Sequence, residues 1–378
     1  MSEPIIIIGG SIAGVSAAEA ARRQDPDVDI LILSSDTFAP YYRLRICEVF
    51  CDPESAAKLE LHPRAWYDER KIRLETGIEV LEVMSESKQV RLSDGRLLSF
   101  SSLVIATGSL SFKPPVTGID RPNVFTLWTM QDALNIAAAL AKAKQVIVIG
   151  GGLLGLETAF QTRRFGLPVR IIEKMQRLLV NQLDGDGSSV LTKRVQALGI
   201  EVVTDADITE INDSGVRLAD GREFAADLVL VSIGVRSNVD FLKGSGLVIP
   251  RRIATDARLQ TNLLGIYAAG DVAEPDNYWF GLWTVARAEG LAAGTNATGG
   301  QSDFVGVVPP YVLNTMNTKV AVQGDQGKPD QPEYTFEITL DSAANNYRKL
   351  VYKDSKLCGY MLVGDNADFV SLQKQLIE

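Results

Sequence analysis

The chain has 378 residues, 46% of them hydrophobic and 32 of them glycine, enough for two or three domains with substantial cores and many tight strand-to-helix turns. With 47 acidic against 38 basic residues its net charge is −9, which argues against nucleic acid and anionic membrane as partners. No apolar run approaches the roughly 20 residues that cross a bilayer, so a cytoplasmic protein is expected. One histidine, His62, and three cysteines, Cys47, Cys51 and Cys358, leave little room for Ser-His-Asp chemistry, a disulfide scaffold or a metal site.

The first element is an apolar strand, Ile5–Ile8, followed by Gly9-Gly10-Ser11-Ile12-Ala13-Gly14 and a helix through Ala21. This is a G-x-G-x-x-G pattern with serine at the middle glycine. Serine is small enough to leave the backbone open to a pyrophosphate, and its hydroxyl can itself bond a phosphate. The strand Ile30–Leu33 ends in Ser34-Ser35-Asp36, so Asp36 is the carboxylate available to a ribose. Pro40-Tyr41-Tyr42-Arg43-Leu44-Arg45-Ile46-Cys47-Glu48 then leads into a helix expected near Cys51. Residues 73–100 alternate in short runs, Glu79–Val83 and Gln89–Leu92, and Asp94-Gly95 before Leu97 signals a hairpin. Leu103–Ile105 is a strand that runs into Ala106-Thr107-Gly108, and Pro114-Pro115 marks the exit from a first domain.

A segment Val124–Thr129 and a helix from Met130 to Ala143 precede the strongest motif in the chain. Val146–Ile149 reads as a buried parallel strand, Gly150-Gly151-Gly152-Leu153-Leu154-Gly155 is a complete G-x-G-x-x-G, and its helix carries Glu157. A second strand, Val169–Ile172, ends at Glu173. Strand, loop, helix, strand and acid in register define a dinucleotide site. A carboxylate at Glu173 accepts both ribose hydroxyls and repels a 2′-phosphate, which favours NADH over NADPH. An amphipathic helix to Leu198, a hairpin at Asp220-Gly221 and a strand Leu228–Ile233 ending at Gly234 close this second domain. The chain then passes Gly270-Asp271 and a helix Ala286–Ala297. After Gly299-Gly300 it forms a small α+β tail with strands Val320–Val322, Tyr334–Leu340, Lys349–Tyr352 and Gly359–Leu362 and a helix Asp368–Ile377.

Taken in order, the Gly9 loop, the Pro-Tyr-x-Arg segment, Ala106-Thr107-Gly108, Gly234-Val235-Arg236-Ser237-Asn238 and Ile266-Tyr267-Ala268-Ala269-Gly270-Asp271 resemble the FAD-dependent pyridine nucleotide-disulfide oxidoreductases. The likeness is greatest to the NADH:rubredoxin oxidoreductases, and extends to the FAD module of assimilatory nitrite reductases. The resemblance implies an α/β, glutathione-reductase-like fold. Its parts would be a discontinuous FAD domain (1–112 and 240–303), an NADH domain (113–239) and a C-terminal α+β domain (304–378), which in some branches also makes a homodimer. It implies that Gly9, Ser11, Ile12, Ala13 and Gly14 hold the FAD pyrophosphate, that Asp36 holds the adenosine ribose and that Val80 meets the adenine through its backbone. Ala106, Thr107 and Gly108 would form the crossover beside the flavin, Gly270 and Asp271 would receive the ribitol, and Trp283 and Thr284 would flank the pyrimidine. Arg43 and Glu48 would lie near the flavin, while Gly150, Gly152, Leu153, Leu154, Gly155, Glu157, Glu173 and Gly234 would form the NADH site. Arg43 and Arg45 also fit solvated loop charges, and Trp283 fits ordinary core.

The electron acceptor is the open question. The disulfide reductases use a C-x4-C pair and a C-terminal histidine; here the spacing is Cys47-Glu-Val-Phe-Cys51 and no histidine follows His62. The position of the single redox cysteine in the peroxidase and oxidase branch falls on Leu44, which cannot be a nucleophile. Electrons are therefore expected to pass from NADH through FAD to rubredoxin or a similar small iron–sulfur carrier, with Arg43, Arg45 and Lys319 as docking charges. Two other readings stay open: the NADH-oxidising subunit of a larger enzyme such as a nitrite reductase, and an FAD- and NADH-holding sensor with little turnover.

Overall fold

The computed structural model describes residues 3–276, 278–306, 309–328 and 330–377. The chain contains two βαβ units, β1 (Ile5–Ile8), α1 (Ile12–Gln24) and β2 (Ile30–Ser34), then β3 (Val146–Ile149), α2 (Leu153–Arg164) and β4 (Val169–Ile172); helix α3 (Trp283–Ala297) follows late. Two compact units divide it: Met1–Ile46, Glu54–Leu110 and Val235–Val307 form the first, and Cys47–Pro53, Ser111–Gly234 and Val308–Glu378 the second. Among the described residues no helix is long and apolar enough to cross a membrane.

In the first unit a parallel five-stranded sheet runs in the order Ile266–Ala268, Ser102–Ile105, β1, β2, Ile72–Thr76. Four consecutive isoleucines form its centre because both faces of β1 are covered. Ile5 and Ile7 pack with Ala17, Ala18 and Ala21 of α1 and Ala293 of α3, whereas Ile6 and Ile8 pack with Val83, Val90 and Phe100. Each such isoleucine contributes about 1.5–3 kcal/mol. The second face is closed by the expected antiparallel hairpin, Val80–Met84, Gln89–Leu92 and Leu97–Ser99. Between β2 and this sheet, the expected helix near Cys51 is replaced by two 3-10 helices, Arg43–Phe50 and Pro53–Leu59. Pro53 lacks an N–H and disfavours the α conformation at Asp52, so one continuous α-helix cannot run through Cys51.

The second unit repeats the plan. Ile200–Val203, β4, β3, Leu228–Val231 and Val124–Thr126 form a parallel sheet in that order, and Ile208–Asn212, Gly215–Leu218 and Glu223–Ala225 an antiparallel one. Helix Met130–Leu140 starts with a reciprocal capping box between Thr129 and Asp132. The tail is a five-stranded antiparallel sheet, ordered Tyr311–Thr315, Thr318–Gly324, Lys356–Val363, Asn346–Lys353, Tyr334–Asp341, with helix Phe369–Ile377. Its first strand goes unrecognised in sequence because the two-residue turn into the next is Met316-Asn317, both at positive φ (58° and 50°), where glycine is the usual marker.

Asp184 ties this tail down. One carboxylate oxygen caps helix Gly185–Ala197 by accepting the Gly187 N–H at 3.0 Å, and the other accepts the Tyr347 hydroxyl at 2.7 Å and the Lys349 ammonium at 3.3 Å. Arg194, from the same helix, donates to the Asn345 carbonyl at 2.6 Å.

Candidate functional site

The Gly9 loop of the first unit is shaped by contacts that exclude side chains. Gly9 has φ +120°, and a Cβ there would stand 2.1 Å from the Ala106 carbonyl oxygen; a Cβ on Gly14 would stand 1.9 Å from the Gly9 carbonyl oxygen. The strand end and the first turn of α1 are thus in backbone contact. Ser11 is the N-cap of α1, makes no side-chain capping bond, and is followed by Ile12 and Ala13 with no acidic residue in the first turn. The N–H groups and partial positive charge of the helix end remain open to an anion, so these residues fit a pyrophosphate.

Asp36 lies past the end of β2, where its carboxylate accepts the Phe38 N–H at 3.1 Å and the Tyr41 hydroxyl at 2.9 Å. Tyr41 is thus the residue that orients this acid. The side chain of Val80 is buried in the core of its hairpin, leaving only its backbone for a ligand.

Around Asp271 several of the expected residues come together. Gly270 has φ +79°, with Ala13 Cβ and Ala286 Cβ closing the space behind it. Asp271 accepts the Ser109 hydroxyl at 3.3 Å through its carboxylate and the Ser237 hydroxyl at 3.2 Å through its carbonyl. Burial pushes the Asp271 carboxyl up, opposed by the Ser109 bond and by the guanidinium groups of Arg43 and Arg252. Arg43 therefore sits within electrostatic reach of Asp271 and does not act as a detached loop charge. At Thr107-Gly108 the Thr107 hydroxyl donates to the Asn238 carbonyl at 2.9 Å and the Gly108 carbonyl accepts the Asn238 N–H at 3.0 Å. Trp283 is half-buried and stacks on Tyr42, with ring centroids 5.8 Å apart, beside exposed Thr284 at the start of α3. It is not a core side chain.

Sequence reasoning passed over Glu289. This α3 residue is 4% exposed, and its carboxylate oxygen accepts the Gly270 N–H at 2.6 Å. Burial pushes its carboxyl up to about 8, against the Gly270 bond and with help from Asp271. The available signal was a lone acid in a small-residue stripe, Ala286, Glu289, Gly290 and Ala293.

In the second unit, Gly150 has φ +113° and meets the Ser232 carbonyl oxygen, and a Cβ on Gly155 would stand 2.1 Å from the Gly150 carbonyl oxygen. Gly152 is the N-cap of α2, with open space where its Cβ would be, and Leu153 and Leu154 open the helix half-buried. Glu173 turns back onto the loop, accepting the Gly151 N–H at 2.5 Å and the Met175 N–H at 2.6 Å. Its carboxylate is thus fixed beside the glycines. Burial raises Glu157 to about 7. Gly234, at φ +108°, accepts the Phe112 N–H at 3.0 Å.

The segment Cys47–Pro53 packs on α2. Cys47 Sγ lies 3.9 Å from Thr158 Oγ1 and is buried, while the Cys51 thiol donates to the Gln161 carbonyl at 3.6 Å; all three cysteines are free thiols. The two thiols meet α2 at Thr158 and Gln161, three residues apart on that helix. Burial, with Glu157 adding to it, pushes the Cys47 thiol far up, and Glu48 acts in the same direction.

Two parallel sheets, each with a glycine loop at a helix N-terminus and an acid just past the following strand, give the fold of the two-dinucleotide flavoprotein reductases. The pyridine nucleotide-disulphide oxidoreductase family model matches residues 3–290, and the chain belongs to that family. It is 29% identical over 375 residues to the NADH-rubredoxin oxidoreductase of Clostridium acetobutylicum, covering 99% of this chain and 94% of that protein. It is 34% identical over 279 residues to the nitric oxide reductase FlRd-NAD(+) reductase of Vibrio vulnificus, covering 72% of this chain and 73% of that one. The crystal structure of the Clostridium acetobutylicum NADH:rubredoxin oxidoreductase superposes with a TM-score of 0.85 over 100% of this chain and 95% of that chain, at 28% identity. The chain is an NADH-dependent oxidoreductase that works with FAD and NADH.

Proposed function

We propose that the protein carries electrons from NADH through FAD to a separate small iron–sulfur protein, rubredoxin or a rubredoxin-like carrier, in the cytoplasm. The observation that carries this reading is the burial of Cys47. A thiol held protonated against α2, with Cys51 bonded elsewhere on that helix, does not form the dithiol relay of a disulfide reductase, so electrons leave by an external acceptor. Similarity over nearly the whole length of an NADH-rubredoxin oxidoreductase supports the choice of acceptor.

In this reading the first unit is the FAD domain, and the second holds the NADH domain together with the C-terminal α+β domain. FAD supplies hydride acceptance from the nicotinamide and one-electron release to the carrier. The protein's part is to bind and orient. The loop Gly9–Gly14 and the end of α1 hold the pyrophosphate, Asp36 holds the adenosine ribose, and Asp271 accepts a ribitol hydroxyl. Thr107-Gly108, Trp283 and Arg43 border the flavin ring, and Glu173 holds the NADH ribose. Arg45, which is exposed, supplies charge for an acidic carrier. The test is a stopped-flow mix of the yellow protein with NADH, followed by rubredoxin, ferredoxin, disulfides or oxygen. Fast bleaching and fast reoxidation by rubredoxin alone are expected. Reoxidation by disulfides would overturn the reading, and fast bleaching with no competent acceptor would replace it with a subunit of a larger enzyme.

A further inference from the structure

A buried carboxyl group that touches no expected ligand stands directly behind the flavin turn. Helix α3 reaches that place because it crosses α1 at backbone contact: a Cβ on Gly290 would be 2.2 Å from the Ala13 carbonyl oxygen, and one on Gly294 would be 2.0 Å from the Ala17 carbonyl oxygen. The residue before Gly290 is thereby pressed against the turn that follows strand Ile266–Ala268. Its carboxylate oxygen accepts the N–H of Gly270, the residue that precedes Asp271.

We propose that Glu289 is a positioning residue of the flavin site, fixing the Gly270–Asp271 turn from inside α3 so that the Asp271 carboxylate faces the ribitol. This rests on the reading of Asp271 as a ribitol ligand. The Gly270 N–H has no α-helical or strand partner there, and without an acceptor it would be a buried donor left unpaired. Three elements converge on the turn: α3 with Glu289, the Ser109 strand, whose hydroxyl holds the Asp271 carboxylate, and the strand carrying Ser237, whose hydroxyl holds the Asp271 carbonyl. Removing one leaves the other two, so the turn loosens without collapsing.

An amide would satisfy the Gly270 N–H as well as a carboxyl does, yet the chain places a titratable group there. The ionisable or charged groups that bear on it are Asp271, which faces it, and Arg43 and Arg252, which face Asp271. Burial holds Glu289 protonated at neutral pH and lets it ionise above about 8. Once charged, it confronts the Asp271 carboxylate across one residue, and the turn is pushed from its FAD-binding position.

The experiment measures FAD dissociation constants by flavin fluorescence for the wild type, Glu289→Gln, Glu289→Leu and Asp271→Ala, at about pH 6.5 and about pH 9.5, on either side of the Glu289 titration. Glu289→Gln should hold FAD within about twofold of wild type at the lower pH and show no weakening at the higher, whereas the wild type weakens several-fold. Glu289→Leu should weaken FAD about tenfold at both. FAD as tight in Glu289→Leu as in wild type, with Asp271→Ala weakened, overturns the role of Glu289 alone; unweakened Asp271→Ala overturns the flavin-site reading itself. Should Glu289→Leu not fold, the pair of wild type and Glu289→Gln decides, and an identical pH dependence in both overturns the proposal.

Discussion

The two glycine loops of this chain are built alike and finished differently. In both, the first glycine sits at positive φ against a carbonyl of the neighbouring strand, and a Cβ on the last glycine would collide with the first glycine's carbonyl oxygen. The acids diverge. Glu173 follows its strand directly, and its carboxylate accepts a loop N–H, whereas Asp36 stands two residues past Ser34, held by a local turn and the Tyr41 hydroxyl. The loop proposed for NADH therefore holds its acid inside the motif. The loop proposed for FAD has its acid held by an aromatic residue of the next segment.

The largest test of this contrast is steric. Gly14→Ala and Gly155→Ala each force a methyl onto a carbonyl oxygen at 1.9 and 2.1 Å. Overpacking costs typically about 1–3 kcal/mol and occasionally more, about a fivefold to hundredfold loss where it falls on the nucleotide-bound form. Gly14→Ala should emerge from desalting with its flavin depleted, and Gly155→Ala should stay yellow with a KM for NADH raised about tenfold or more. Next in size is Glu173→Arg. Loss of hydrogen bonds to a charged acceptor, about 1.5–3 kcal/mol, should cut kcat/KM for NADH about tenfold to hundredfold while NADPH use rises. An unchanged preference between the two nucleotides would remove Glu173 from the ribose site.

A smaller effect is expected on the other loop. Tyr41→Phe removes one hydrogen bond to Asp36, about 0.5–1.5 kcal/mol, so the FAD dissociation constant should rise twofold to about tenfold with the KM for NADH unmoved. The smallest effect concerns Glu157, whose carboxyl burial raises from 4.5 to about 7. Below pH 4.5 the folded and unfolded chains both hold this proton. As pH rises toward 7 only the unfolded chain releases it, so stability is lost across that window and the loss levels off above it. Glu157→Gln should match the wild-type Tm near pH 4.5 and exceed it modestly at pH 8, as read by thermal melts at both. Equal Tm values at the higher pH would mean that Glu157 is solvated.

What could be read from the sequence is what is local. The runs Ile5–Ile8 and Val146–Ile149, their glycines and the acid at Glu173 announce a nucleotide fold within thirty residues each, because strand, turn and helix are fixed by neighbours. The hairpin at Asp94-Gly95 was legible for the same reason. Glu289 was not, since its partner Gly270 meets it only after two glycines bring α3 onto α1. The 3-10 geometry of Arg43–Phe50, where a helix near Cys51 was expected, was hidden too. Tyr311–Thr315 was lost because Met316 stands where a turn glycine would normally flag the hairpin.

The double duty of Asp184 limits how this chain can be cut or recombined. Because one carboxylate begins a helix of the second unit and also grips Tyr347 and Lys349 of the terminal sheet, that sheet is not a detachable cassette. A chimera that imports another terminal sheet has to import partners for Asp184 and Arg194 with it. A chain shortened at residue 305 would hand both groups to solvent, and its loss of solubility would say nothing about the redox chemistry.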